Sequence, residues 1–506
     1  MHSFITTRGK KMNIVSTPVI VMFVVYIVGM LLIGWLGYRS TEDLSDYILG
    51  GRKLGAFVVA LAAGASDRSG WLIMGLPGEV YSTGISASWI AIGLIIGAYF
   101  NWLFVAARLR VYTERSGNAL TLPDFFSNRF EDNKNILRIV SAIVILVFFT
   151  LYCASGVVAG ARLFESMFGL SYVNAIWLGA FCTIAYVFIG GFLAVSWTDT
   201  VQASLMFTAL LLTPLIVLHH AGGFGDAVAA AEVVRVSSAD MLSGMSTVGI
   251  ISAVAWGLGY FGQPHILVPF MAADSVHSIT RARRIGMTWM ILCLAGAVAV
   301  GFFGIAYFEM YPGQAAGVNA NAERVFIELS ILLFNPWISG VLLAAILAAV
   351  MSTLSAQLLV CSSSLTQDIY KTFLRRTAGD TELVWVGRLM VLAVALIAIA
   401  LAWNPESRVL SMVSYAWAGF GAAFGPVVIL SLVWRRMTLW GALAGMIVGA
   451  VVVLVWNHFN WFGLYEIVPG FILAALTIYV VSLLGAEPKS SVTEVFDEVQ
   501  AEIKAM

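Results

Sequence analysis

The sequence predicts an all-α polytopic membrane protein of about 13 transmembrane helices, and three observations carry that expectation. Hydrophobic residues make up 60% of the 506 and charged residues 11%, with 47 glycines and a mean hydropathy of +0.91, a balance far from that of soluble domains. Apolar runs of about 20 residues, the length that crosses a bilayer, recur along the chain. Lys and Arg gather in every second loop, as they do in cytoplasmic loops. Lys+Arg and Asp+Glu are equal at 28 each, which leaves no electrostatic case for nucleic acid. No obligate protein partner is evident, and the lipid bilayer is the expected surrounding.

Taken in order, residues 1–13 form a polar tail with Arg8, Lys10 and Lys11; initiation at Met12 would remove those charges. The apolar spans run roughly 14–37, 54–80, 86–107, 138–161, 173–191, 198–218, 246–271, 285–308, 333–367, 383–402, 408–434, 438–457 and 463–484, so 14–484 reads as one transporter-sized membrane domain. Several exceed the bilayer length, which predicts tilt or breaks. The first lacks a small-residue cleavage site and does not read as a removable leader. Arg39, Arg52 and Lys53 flank loop one; Arg108 to Arg138 crowd loop three; Arg281, Arg283 and Arg284 lie in loop seven, Lys371, Arg375 and Arg376 in loop nine, and Arg435 and Arg436 in loop eleven. The odd loops are therefore expected inside, with the N-terminus outside and a cytoplasmic tail at 485–506 too short to hold a soluble domain. Cys153, Cys182, Cys293 and Cys361 all fall in apolar spans without metal-ligand or disulfide spacing and read as small buried hydrophobes.

The second span is interrupted by Ala62-Ala63-Gly64-Ala65-Ser66-Asp67-Arg68-Ser69-Gly70-Trp71. Ionisable groups at a helix centre cost roughly 2.5 to 3.5 kcal/mol each, so they face a cavity or a partner and mark a site. The small residues around them favour unwinding, which is tolerated at membrane depth only beside protein or a cavity. A second interruption, Trp256-Gly257-Leu258-Gly259-Tyr260-Phe261-Gly262-Gln263-Pro264-His265, falls five spans later. Matching breaks in two halves point to an inverted-repeat transporter with its site at the midplane. Five-plus-five repeats at about 54–218 and 246–434, with one helix before and two after, follow from that spacing. The competing reading is that these glycines only let helices pack closely. A third cluster, Ala349-Val350-Met351-Ser352-Thr353-Leu354-Ser355, places adjacent hydroxyls late in span nine. Such hydroxyls commonly bond back to the preceding turn; set beside carbonyls freed near Ala65 and Arg68, they offer the neutral oxygens that suit sodium.

These motifs, together with Gly190-Gly191-Phe192-Leu193-Ala194-Val195-Ser196-Trp197-Thr198-Asp199, Tyr152-Cys153-Ala154-Ser155-Gly156 and Asn335-Pro336-Trp337, resemble the sodium/solute symporter family over nearly the whole chain. The resemblance implies a LeuT-type fold and sodium-driven import of L-proline across the bacterial inner membrane by alternating access. It implies a sodium site at the carbonyls of Ala65, Arg68 and Ala349 and the hydroxyls of Ser352 and Thr353. Asp67 matches an aspartate on which sodium use depends, and Arg52 an arginine near the cytoplasmic entrance. Substrate positions map to Ser69, Gly70, Trp71, Tyr152, Trp256, Tyr260 and Pro264. Proline's chemistry suits these types: amides freed at Ser69 and Gly70 can meet its carboxylate, and aromatic faces its ammonium.

The chain departs from the family at two places. Arg68 stands where relatives carry methionine, and Pro269 where they carry arginine. The Arg68 side chain either leaves through the inner vestibule or turns inward to pair with Asp67 or occupy the cation's place, which would make transport proton-coupled or sodium-independent. A transporter-like membrane sensor is a further alternative. An enzyme is not expected, because no paired aspartates, zinc-type histidines or nucleophile–base set occurs among the spans. His265 reads as a packed or hydrogen-bonded histidine rather than a proton relay.

Overall fold

The computed structural model describes residues 16–41, 43–234, 236–405 and 407–505; the tail 1–13 lies outside them. Among the described residues the chain is helical throughout, with a single isolated bridge between Leu54 and Ala273. Ten helices among the described residues are long and apolar enough to cross a membrane. The expected spans two, five and seven are instead represented by shorter apolar helices, Ala56–Asp67, Tyr172–Ala185 and Thr247–Gly262. Two of these three are the interrupted spans, where a break shortens the run.

The first helix, Thr17–Arg39, shows how the bilayer divides a helix into two faces. Val19, Phe23, Tyr26, Met30, Gly34 and Gly37 recur at helical spacing and are buried, whereas Val24, Val25, Val28 and Leu32 lie exposed where lipid would be. By contrast Pro336–Ser363 is buried almost all round, from Leu342 to Leu359. It forms the core that the breaks pack against, and its last turns widen into a π-helical stretch, Ser364–Leu374.

The breaks are narrower than the sequence suggested. The first span stays α-helical to Asp67 and leaves the helix only at Arg68 (φ −94, ψ 83), then resumes through a π turn, Trp71–Gly75. In the second, Thr247–Val254 tightens into a 3₁₀ stretch, Ala255–Gly262, before the extended Gln263 and the helix Pro264–Met271. The three glycines of that stretch serve close packing after all. A Cβ on Gly257 would lie 2.2 Å from the Gly93 carbonyl oxygen, one on Gly259 would lie 1.9 Å from Trp417 Nε1, and one on Gly262 would lie 2.2 Å from the Phe420 carbonyl oxygen. The break itself is therefore confined to Gln263 and Pro264, where proline removes the donor.

Gly97 answers Gly257 from the facing helix Ser88–Phe100, since its Cβ would stand 2.0 Å from the Gly257 carbonyl oxygen. Backbone lies on both sides, so neither partner can give way. Gly97→Ala is expected to cost at least the roughly 1 to 3 kcal/mol of core overpacking, read as lost monodispersity and a lowered melting temperature in detergent. Gly29→Ala, with nothing within 4 Å, should be neutral; equal loss in both would contradict this packing.

Spans five and six form one long helix in name, Tyr172–His220, divided at Gly191, whose φ of +60° no β-carbon tolerates well. A Cβ there would also meet the Tyr47 ring at 2.7 Å. The connections at 222–245 and 309–320 contain the helices Phe224–Val234 and Ala316–Ala320.

The C-terminal tail is more than an acidic extension. Ser490–Ala505 forms a helix that buries Val492, Phe496 and Val499 along one face and docks by Lys489–Glu131 (2.8 Å), Arg435–Asp497 (3.0 Å) and Arg115–Glu502 (2.8 Å). Loops three and eleven and the tail therefore share one face, called the basic face below. The Lys489 and Ser491 hydrogen bonds hold the Glu131 carboxyl below its ordinary value, and that of Arg435 does the same for Asp497. Depressed carboxylates contribute stability above the unfolded pKa and lose it as pH falls through the folded one. Acidification below about pH 4 should accordingly speed proteolysis at the 485–489 connection, and a rate independent of pH would show that apolar packing alone holds the helix.

Candidate functional site

The breaks place four of the five proposed sodium ligands together. The Ser352 hydroxyl donates to the Ala65 carbonyl (3.0 Å) and the Ala349 carbonyl (3.1 Å), and Thr353 donates to Ala65 (3.3 Å). Ser352 and Thr353 are buried. Four neutral oxygens converge at the end of the helix that stops at Asp67, with Arg68 the residue at which it stops. Such a set suits a hard cation once the hydroxyl protons turn away, because each hydroxyl oxygen then presents lone pairs inward.

Beside this cluster lies an ion pair that the sequence could name but not place. Arg68 Nη1 is 2.5 Å from Asp67 Oδ2, and the same oxygen accepts from the Tyr260 hydroxyl at 2.5 Å. Arg68 Nη2 lies 3.1 Å from that hydroxyl, Nη1 also donates to the Gly64 carbonyl at 3.2 Å, and the guanidinium stands 5.4 Å from the Trp289 ring. Arg68 is 2% exposed and Asp67 0%. Of the alternatives for Arg68, the inward turn onto Asp67 is the one the structure adopts, and the exit through the inner vestibule is not. Adjacent residues of a regular helix cannot face one another; the break at Arg68 is what lets them. The guanidinium joins Asp67 and Tyr260 rather than Ser352 or Thr353, so it does not fill the oxygen cluster.

The proposed substrate positions gather around the same point. Trp71 and Tyr152 are essentially fully buried, and Ser69 and Tyr260 are 2% exposed. The indoles also satisfy the breaks: Trp71 Nε1 donates to the Asp67 carbonyl (2.9 Å) and Trp417 Nε1 to the Trp256 carbonyl (2.7 Å). Freed backbone in a bilayer needs such partners. Trp256 sits at the edge of a cleft of about 830 Å³ on the face opposite the basic one, lined by Gly75, Glu79, Arg162, Glu323 and Arg408 among others. Pro264 lies on the other side and lines a narrow cavity of about 30 Å³ that reaches Thr121, Leu122 and Pro123 at the basic face. The wide cleft thus lies on one side of the buried centre and the narrow cavity on the other.

His265 is packed, as expected, edge-on to Phe149 (5.2 Å) and Tyr152 (5.7 Å). Pro269 lines the narrow cavity within the helix Pro264–Met271. Arg52 bridges the basic-face ends of both broken spans. It donates to the Met271 carbonyl (2.6 Å), the Ala119 carbonyl (2.7 Å), Asn118 (2.9 Å) and Thr113 (3.1 Å). Burial and the neighbouring Arg110 lower its pKa to about 10, and it remains charged at neutral pH. Sequence reasoning passed over Asp199, which is buried, has an unpartnered Oδ1 and lines the narrow cavity with Ser196, Ser363 and Ser364. A carboxylate eight residues beyond Gly191 in an apolar span was the available signal.

Two interrupted spans around a buried polar centre, with a cleft on one face and a near-closed path to the other, define a LeuT-type membrane transporter. The chain belongs to the sodium:solute symporter family, whose family model matches residues 47–449. It is 67% identical over 487 residues to the sodium/proline symporter of Escherichia coli, covering 96% of this chain and 97% of that one. A high-affinity proline transporter of Bacillus subtilis is 54% identical over 472 residues, covering 93% and 99%. Among solved structures, a substrate-bound, outward-open Na+-coupled sialic acid symporter superposes with a TM-score of 0.79 at 18% identity, covering 94% of this chain and 99% of that one. A nucleobase-cation-symport-1 family transporter in a closed conformation gives 0.56 at 14% identity, covering 90% of this chain and 100% of that one.

Proposed function

We propose that this protein imports L-proline across the bacterial inner membrane with sodium as the coupling ion. The observation that carries the reading is the meeting of Ala65, Ala349, Ser352 and Thr353 oxygens at the first break, in a chain two-thirds identical to a sodium/proline symporter along nearly its full length. Sodium is bound there with the Arg68 carbonyl as a fifth ligand, and proline is held by Ser69, Gly70, Trp71, Tyr152, Trp256, Tyr260 and Pro264. Asp67 and Arg52 couple the two. The ion pair favours sodium over a tethered guanidinium as the driving cation, since Arg68 is engaged with Asp67 and Tyr260.

Sodium entering through the wide cleft orders the breaks and completes the proline pocket; closure of that side and opening past Thr121 releases both. Each ligand then raises the other's affinity by the same factor. The membrane potential supplies about 2.3 kcal/mol per charge per 100 mV, enough for uphill import of a net-neutral zwitterion. The topology that goes with this has thirteen spans, repeats at about 54–218 and 246–434, the N-terminal tail 1–13 outside and residues 485–506 cytoplasmic. It is supported by the sharing of one face by the basic loops three and eleven and the tail. Purified protein in liposomes should accumulate labelled proline under an inward sodium gradient; equal accumulation under potassium or a proton gradient would overturn the reading.

A further inference from the structure

Span three is deformed at one place. Between Ser88–Phe100 and Ala107–Arg115 the helix widens into a π turn, Asn101–Ala106, a local distortion that accompanies functional sites more often than ordinary helix does. Its first residue, Asn101, is 1% exposed, and among the described residues neither its Oδ1 nor its Nδ2 has a hydrogen-bond partner. A buried amide left without partners is costly. Asn101 lines a cavity of about 20 Å³ together with Arg68, Gly64, Tyr260 and Gly286. Within that group the Arg68 Nε is itself unpartnered, as is the Oδ1 of neighbouring Asp67. The space is too small for a substrate and sufficient for a side-chain shift.

We infer that Asn101 is a positioning residue for coupling: its Oδ1 is the acceptor onto which the Arg68 guanidinium turns when sodium binds beside Asp67. The inference rests on the sodium-coupled reading above. A cation among the Ala65, Ala349, Ser352 and Thr353 oxygens repels the guanidinium, which reaches back along the same helix to the Gly64 carbonyl. Arg68 must then exchange part of its pairing with Asp67 for another acceptor inside the protein, because no charged group can be left bare there. Across the cavity the unpartnered carbonyl oxygen of Asn101 supplies it. This exchange frees Asp67 for coupling, and it lets a chain with arginine at this position remain sodium-driven.

The test measures the sodium concentration for half-maximal proline uptake in proteoliposomes containing the full chain, Asn101→Leu, Arg68→Met or the double variant. With Arg68 present, Asn101→Leu should raise that concentration about tenfold or more, the loss of one hydrogen bond to a charged group; with Met at 68 the same change should shift it less than about twofold, within ordinary additivity error. An equal shift in both backgrounds would reveal a purely structural asparagine and overturn the inference, as would no shift in either. If Asn101→Leu does not yield folded protein, Asn101→Ala carries the same comparison. Sodium-independent uptake by the unmodified chain and by Arg68→Met would instead defeat the transport reading itself.

Discussion

Replacing Ser352 and Thr353 together by alanine is expected to raise the sodium concentration for half-maximal proline uptake by on the order of 100-fold, if each hydroxyl contributes as much as a hydrogen bond to a charged group. Folding should suffer far less. Among the described residues these hydroxyls donate only to the Ala65 and Ala349 carbonyls, and a neutral bond of that kind contributes about 1 kcal/mol net. The experiment therefore compares two quantities on one variant, the sodium dependence of uptake and the melting temperature in detergent. A large drop in melting temperature with unchanged sodium dependence would make the pair a structural helix contact and place the ion elsewhere.

Asp67→Ala should have the largest effect on the fold. It strands the Arg68 guanidinium, 2% exposed, with the Tyr260 hydroxyl, the Gly64 carbonyl and the Trp289 ring but no counter-charge. Removing one member of a buried pair costs about 3 to 5 kcal/mol, whereas removing both can be nearly neutral. Adding Arg68→Met to Asp67→Ala should therefore restore the yield of folded protein and most of its melting temperature. Sodium-dependent transport should not return, because the coupling carboxylate is still missing. Recovery of transport in the double variant would reduce Asp67 to a counter-ion for Arg68. Failure to recover stability would mean that the carboxylate's hydrogen bond from Tyr260, rather than its pair with Arg68, carries the fold.

The membrane-protein class, the approximate spans, the two interrupted helices and the hydroxyl pair at Ser352 and Thr353 were all legible in one dimension. Hydrophobic run length and a carboxylate in an apolar span are local consequences of what a bilayer permits. The neighbourhood of Arg68 was legible only as a choice of outcomes. Whether its side chain left the protein or turned on Asp67 depended on a single non-helical residue and on Tyr260, which is 192 positions away in the chain. The glycines at 257, 259 and 262 were equally ambiguous, since unwinding and close packing call for the same residue. The nearness of Gly93, Trp417 and Phe420 decided for packing.

The tail shows the same division. Val492, Phe496 and Val499 already stand at helical spacing, yet an amphipathic pattern of that length is stable only against a partner. Glu131, Arg115 and Arg435, drawn from distant loops, provide one. By itself the sequence determined that the chain is a polytopic membrane protein and which two of its spans are interrupted, because lipid admits so few backbone solutions. Which freed carbonyl meets which hydroxyl, where the buried guanidinium rests and which face is open were decided by tertiary structure. Each of those depends on the approach of segments hundreds of residues apart, a distance over which local propensity carries no information.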